Sequence, residues 1–296
     1  MKRHKICKII FAILAVFLCV AFYELIGICI TYKKQPAVSD ATIKETQNIM
    51  SVAGRENTER AVIIEKNSQA LLERVRLIQN AKDEIILSTF AFKSDESGKL
   101  ILGALHDAAD RGVHVRILVD GMESWIDMEG NPYFYGLSSH ENVEIKLYNK
   151  ANPLKPWKTM GRMHDKYLIA DGKIYILGGR NTYNYFLGDF PGHKNFDRDV
   201  LVVCDEPQKD NSVNQLWNYF ETIWEQEDCR YFHNSKKLAD RQSVKKAVLE
   251  LQEGYQQYFE VNKEKICDTD YADETFETEK ITSVSYTHLR AHETVL

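Results

Sequence analysis

The stretch RMHDKYLIADGKIYILGGRN, Arg162 to Asn181, decides how the chain is read. Two apolar runs flank Asp171-Gly172, and an Asp-Gly pair between such runs is a strong hairpin signal. On a strand, side chains two apart share a face, so His164 and Lys166 project together and Asp165 faces away. The return strand delivers Gly178 and Gly179, where the backbone can be approached closely by a ligand or a neighbouring strand, and then Asn181. The set suits a phosphodiester. An imidazole can attack phosphorus and form a phosphohistidine, splitting one hard displacement into two easier ones. A lysine and a carboxamide offer N–H donors to the non-bridging oxygens, whose charge must be held in the transition state. The chemistry requires neither metal nor cofactor.

Outward from this hairpin the chain alternates. RAVIIE reads as a short strand, and NSQALLERVRLIQNAK as a helix capped at Asn67/Ser68. EIILSTFAF (84–92) reads as a buried strand, SGKLILGALHDAADRG as a helix ending at Gly112, and VHVRILVDG as another strand. Strand–helix alternation at this spacing predicts βαβ units. Residues 121–140 give no clear pattern. VEIKLY and RDVLVVC add strands, and NSVNQLWNYFETIWEQ a helix with one apolar, aromatic face that reads as core. The expected fold class is α/β, a sandwich of a mixed, largely parallel sheet flanked by helices.

The N-terminus is different in kind. Ile9 to Thr31 runs 23 residues with one charge, Glu24. At about 1.5 Å per residue it reaches roughly 35 Å, enough to cross a bilayer, and it lacks the short core and cleavage site of a secretory signal. It reads as an uncleaved transmembrane helix. Lys2, Arg3, Lys5 and Lys8 precede it against Lys33 and Lys34 after it, so the N-terminus is expected in the cytoplasm and the domain outside. Without residues 1–34 the chain holds 32 Lys+Arg against 42 Asp+Glu, a net charge of −10. Non-specific nucleic-acid binding draws on phosphate neutralisation and wants a basic surface, so no nucleic acid is expected as a partner. Cys204, Cys229 and Cys267 show no metal-ligand spacing and read as buried apolar residues.

The spacing His-x-Lys, four residues, Asp, six residues, Gly-Gly-x-Asn resembles the signature of the phospholipase D superfamily. His164, Lys166, Asp171, Gly178, Gly179 and Asn181 all fall on it. The flanking EIILSTFAF, LHDAADRGVHVRILVDG and FDRDVLVV segments resemble the family too, so the likeness covers about residues 60–226. It implies catalytic roles for His164, Lys166 and Asn181, and substrate binding by Lys166, Asn181, Gly178 and Gly179. Asp171 belongs to the signature's catalytic set, yet an Asp at a turn reads as architectural more than chemical. Asp197 matches the acidic position that orients the histidine, with Asp199 as its neighbouring competitor.

Such enzymes pair two motifs, one histidine attacking and the other protonating the leaving alcohol. None of the other eight histidines opens a His-x-Lys motif. The second half-site is therefore expected from a missing C-terminal part or from a homodimer mate. The segments expected are an anchor (1–34), a linker (35–59), a phospholipase D-like domain (60–230), a charged helical region (231–282) and an adapter-like artefactual tail (283–296). The resemblance implies a bacterial membrane-anchored phosphatidyltransferase of the cardiolipin synthase type, with phospholipid, chiefly phosphatidylglycerol, and the membrane as partners. The alternatives are a homodimeric phosphodiesterase or nuclease with one motif per chain, and an inactive half-enzyme.

Overall fold

A computed structural model describes residues 2–33, 59–150, 152–158, 161–206 and 211–277. The tail expected from residue 283 lies outside the described residues. So does the expected linker, except Glu59, which already begins the first strand. Helix α1 (Lys2–Lys33) is followed by β1 (Glu59–Ile64), α2 (Asn67–Asn80), β2 (Glu84–Thr89), α3 (Glu96–Asp110) and β3 (His114–Asp120). Two short helices, α4 (Gly121–Asp127) and α5 (Pro132–Ser138), occupy the stretch without a clear pattern. They are capped by the Asp120 and Asn131 side chains. The chain continues with β4 (Val143–Tyr148), β5 (Lys166–Ala170), β6 (Ile174–Gly178), β7 (Asp199–Cys204) and α6 (Ser212–Trp224). Last come β8 (Cys229–Tyr231), α7 (Lys236–Ala239), α8 (Gln242–Ile266) and β9 (Phe276–Glu277).

Among the described residues the strands form one nine-stranded sheet in the order β8-β4-β3-β2-β5-β6-β7-β1-β9. It is mixed and flanked by helices, as expected, but it is not largely parallel. Only β2–β3 and β3–β4 pair in parallel, and all other neighbours are antiparallel. The reason is local: helices return the chain between β2, β3 and β4, whereas β5 turns back into β6 through a hairpin that reverses direction.

Alternation along each strand divides two cores. Ile85, Leu87, Val115, Ile117, Leu168 and Ala170 face a layer that holds α2, α3, α5 and α8. Ile86, Leu118, Tyr167, Ile169, Tyr175 and Val202 face α6, whose Leu216, Phe220 and Trp224 cover them. Burying each such side chain contributes about 1.5–3 kcal/mol. The N-terminus of α6 has no side-chain cap of its own. The buried Glu59 carboxylate of β1 accepts from the Ser212 backbone N–H at 2.8 Å and from its hydroxyl at 2.6 Å, serving as the cap from across the sheet.

Three further expectations change. The N-cap of α2 is Lys66. Asn67 instead donates to Asn195 O and accepts from Arg180 Nε, tying α2 to the β6–β7 connection. The charged region after residue 230 belongs to the same core: Val244, Leu251, Tyr255 and Ile266 are buried in it, and α8 packs on α3 and α5. Cys204 and Cys229 are buried, but Cys267 is exposed.

Candidate active site

The parallel strands end at one edge of the sheet, and there β5 begins and β6 ends. Thr89 of β2 lies opposite Lys166, and Gly178 of β6 lies opposite Asp199 of β7. In open α/β sheets ligands bind beyond this edge. His164 stands two residues before the first paired residue of β5 and is exposed, while Lys166 is 5% exposed. The two therefore differ: a histidine open to solvent above a largely buried ammonium.

What holds this irregular lead-in is a carboxylate at the end of β3. Asp120, 1% exposed, accepts from the Met163 backbone N–H at 3.1 Å and from Arg162 Nε at 2.9 Å. It also caps α4. Arg162 adds a 3.1 Å ion pair to Glu123. After His164, Asp165 accepts from Tyr219 of α6 at 2.7 Å. The residues before and after His164 are thus both held, Met163 through its backbone by Asp120 and Asp165 through its carboxylate by α6.

Lys166 Nζ donates to the His164 carbonyl at 2.7 Å. Burial pushes its pKa down to about 8, and Asp165 and Asp197 pull weakly in the other direction. An arriving phosphodiester anion would push it back up and favour the charged form further. The Phe90 ring, from the chain just past β2, meets the His164 ring at 4.7 Å between centroids, and Arg162 and Lys166 also lie over it.

Asn181 leaves β6 along the β2 extension: Thr182 donates to Ala91 O, Lys93 to Thr182 O, and Phe92 bridges to Thr182. Its Oδ1 accepts from the Ala91 backbone N–H at 3.2 Å, which fixes the amide and leaves its N–H₂ as the group to offer a ligand. Phe90 is thereby bracketed by His164 and the segment carrying Asn181.

Gly178 and Gly179 have a packing reason of their own. A Cβ on Gly178 would fall 2.6 Å from Arg198 O and 2.7 Å from Asp199 Cα. One on Gly179 would fall 2.0 Å from Asp197 Oδ2. The pair makes room for the FDRD segment. Asp197 is exposed beside Gly179. Asp199 is buried and ion-paired to Arg74 at 2.9 Å and Arg180 at 3.3 Å, so its carboxylate serves the interior.

Asp171 stands apart from His164 and Lys166. It sits at the far end of β5, about five residues or roughly 17 Å from Lys166. Its carboxylate accepts from the backbone N–H groups of Lys82, Asp83 and Glu84. Here the residue staples the hairpin to the α2–β2 turn.

Sequence reasoning missed Phe90, Asp120 and Arg162. Only Asp120 left a signal, a carboxylate ending an apolar strand directly before a glycine. A cavity of about 780 Å³ lies elsewhere, lined by Glu73, Arg76, Tyr258 and Tyr271 among others, and by none of the motif residues. Among the described residues no group of three or more His, Cys, Asp or Glu is arranged to hold a metal ion.

A protein-family model described as "Cardiolipin synthase, PLD-like domain" matches residues 75–224. A Helicobacter pylori protein (strain ATCC 700392 / 26695) described as uncharacterized is 33% identical over 181 residues, 56% of this chain and 35% of that protein. Cardiolipin synthase C of Escherichia coli K12 is 29% identical over 154 residues, 47% of this chain and 31% of that protein. The chain thus spans about a third of the length of these curated relatives. Among solved structures, Nuc of Salmonella typhimurium, a phospholipase D family member, aligns with a TM-score of 0.41 at 21% identity, covering 60% of this chain and 99% of that chain. The matched model spans His164, Lys166, Gly178, Gly179 and Asn181, which meet at one sheet edge, and the chain belongs to the phospholipase D-like family that this model describes.

Proposed function

We propose that the chain carries the first half-site of a membrane-anchored phosphatidyltransferase of the cardiolipin synthase type. The observation that carries this reading is the exposed His164 imidazole beside the buried Lys166 ammonium, at the edge where Asn181 presents its amide. His164 attacks the phosphorus of a phosphatidylglycerol, forming a P–N bond as the bond to the glycerol oxygen breaks. Lys166 and Asn181 hold the non-bridging oxygens while negative charge builds on them. The leaving alkoxide needs a proton, and the family's second motif supplies the acid, from a further segment or from another copy. The hydroxyl of a second phosphatidylglycerol then attacks phosphorus and gives its proton to that same base. Cardiolipin leaves and His164 is regenerated, with glycerol as co-product. Asp197, lying close enough to influence Lys166, is the carboxylate available to steady the imidazolium.

The test is cardiolipin formation in phosphatidylglycerol vesicles holding the chain, with and without a second motif-bearing half. The reading expects product only with both, and none with His164→Ala. Hydrolysis by a stable homodimer of this chain alone would favour the phosphodiesterase alternative, which the single motif keeps in play.

A further inference from the structure

We propose that the β4–β5 loop and α4 form a lipid-interface patch that docks the active-site edge onto the bilayer. The proposal rests on α1 crossing that bilayer. The described part of α1 includes a 26-residue apolar stretch, Lys5–Ile30, which is exposed along nearly all its length, with Gly27 buried. The loop carries Leu154, 79% exposed, and Trp157, 43% exposed; α4 carries Trp125 and Ile126, both more than 60% exposed. Large apolar side chains this exposed, on two adjoining segments, mark an interaction surface rather than scatter.

Three contacts make the patch continuous. Tyr23 of α1 donates its hydroxyl to Leu154 O at 3.2 Å. A Cβ on Gly27 would fall 2.6 Å from Pro156 Cγ, so the helix and loop touch where glycine permits it. On the other side, a Cβ on Gly121 would fall 2.5 Å from Lys150 Cα, placing the start of α4 against the start of the loop.

The depth of these contacts names the occupant. A 26-residue helix is about 39 Å long against a hydrocarbon core of about 30 Å, so each end projects by roughly 4–5 Å. Gly27, three residues before Ile30, then lies near the hydrocarbon boundary, and Tyr23 about 6 Å below it. A loop packed on Tyr23 and Gly27 must itself sit at that boundary. Its composition fits: Trp is favoured at the interface, and Lys155 suits anionic headgroups, while Lys158 is ion-paired to Asp228 at 2.7 Å. The occupant is an anionic lipid leaflet, not a second protein. Because the loop is followed in sequence by Arg162–His164, the patch would also set the height of His164 over the phosphate plane.

The chain has four tryptophans, of which Trp224 is buried and Trp217 partly so, both on the inner face of α6. The full chain is reconstituted in phosphatidylcholine–phosphatidylglycerol vesicles whose acyl chains carry bromine, and tryptophan quenching is measured on protein that floats with the vesicles. Most of the quenching is expected to vanish in Trp125→Phe/Trp157→Phe, and to return when Ile126→Trp is added to that pair. Floating protein whose quenching is absent, or equal in wild type and the pair, overturns the patch while leaving the anchor standing. So does a blue-shifted Trp157 that bromine does not reach, which means protein covers it. A chain that does not float overturns the anchor and the patch together. None of these outcomes depends on activity, so the proposed reaction is tested separately.

Discussion

The Phe90 ring meets the His164 imidazole edge-on, with centroids 4.7 Å apart and planes at 63°, and the Lys166 ammonium lies 5.4 Å from the same ring's centre. One aromatic side chain thus touches both His164 and Lys166. Edge-to-face pairs contribute about 0.5–1.5 kcal/mol beyond their area. Phe90→Leu keeps the bulk and removes the ring. It is expected to slow phosphorylation of His164 on the order of tenfold, with a change in melting temperature too small to explain the loss. An unchanged rate would show that His164 is positioned by its neighbours in sequence alone.

Lys166 gives a pH prediction whose sign is fixed. Its folded pKa of about 8 lies below the ordinary 10.5, so between those values the unfolded chain holds more proton and stability rises with pH. Below about pH 8 the buried ammonium is a standing burden on the fold. Lys166→Met should therefore stabilise the protein at pH 7 by on the order of 2–3 kcal/mol while abolishing activity. Denaturant titration at pH 7 and pH 10 checks this, and a destabilised Lys166→Met would contradict it. In the active protein, phosphodiester affinity should fall as pH rises past about 8, since the neutral amine loses its charge-assisted bond.

Asp171 should behave in the opposite way. Asp171→Ala removes the acceptor for three backbone N–H groups and leaves alanine at a φ of 51°. The expected loss is about 2–4 kcal/mol, with Asp171→Asn losing less because it keeps one acceptor oxygen and tolerates that backbone. Activity per folded molecule should be unchanged. Loss of activity at full stability would put Asp171 back into the chemistry.

The two glycines separate by what they face. Gly178→Ala meets backbone on β7 and should cost about 2–4 kcal/mol, because the strands must part. Gly179→Ala meets the Asp197 carboxylate first, so Asp197→Ala in the same chain should recover its stability. A double-mutant cycle reads this directly, and additive losses would mean that the clash lies elsewhere.

What is legible in the sequence is local. The Asp171–Gly172 turn marks the hairpin, and the period of two puts His164 and Lys166 on one side. The parallel β2–β3–β4 unit follows from helices between strands. The expectation of further parallel strands fails where no helix intervenes, between β5, β6 and β7. Residues tied across long separations leave little trace. Glu59 caps a helix 153 positions later, and Asp120 holds Met163 from 43 positions away. Phe90 looks like one more apolar residue of a strand until the fold lays it beneath His164.

The central claim is that His164 is a nucleophile in a half-site that lacks its own general acid. A phosphatidyl ester of 4-nitrophenol separates those two statements, because its phenol leaves without being protonated. The full chain should release one equivalent of nitrophenol in a burst, become heavier by one phosphatidyl group on His164, and then stall. Phosphatidylglycerol, whose alkoxide needs an acid, should give a rate lower by about a hundred- to ten-thousand-fold on the same sample. His164→Ala should abolish the burst. A burst that survives His164→Ala, or an adduct mapped to any other residue, would contradict the account.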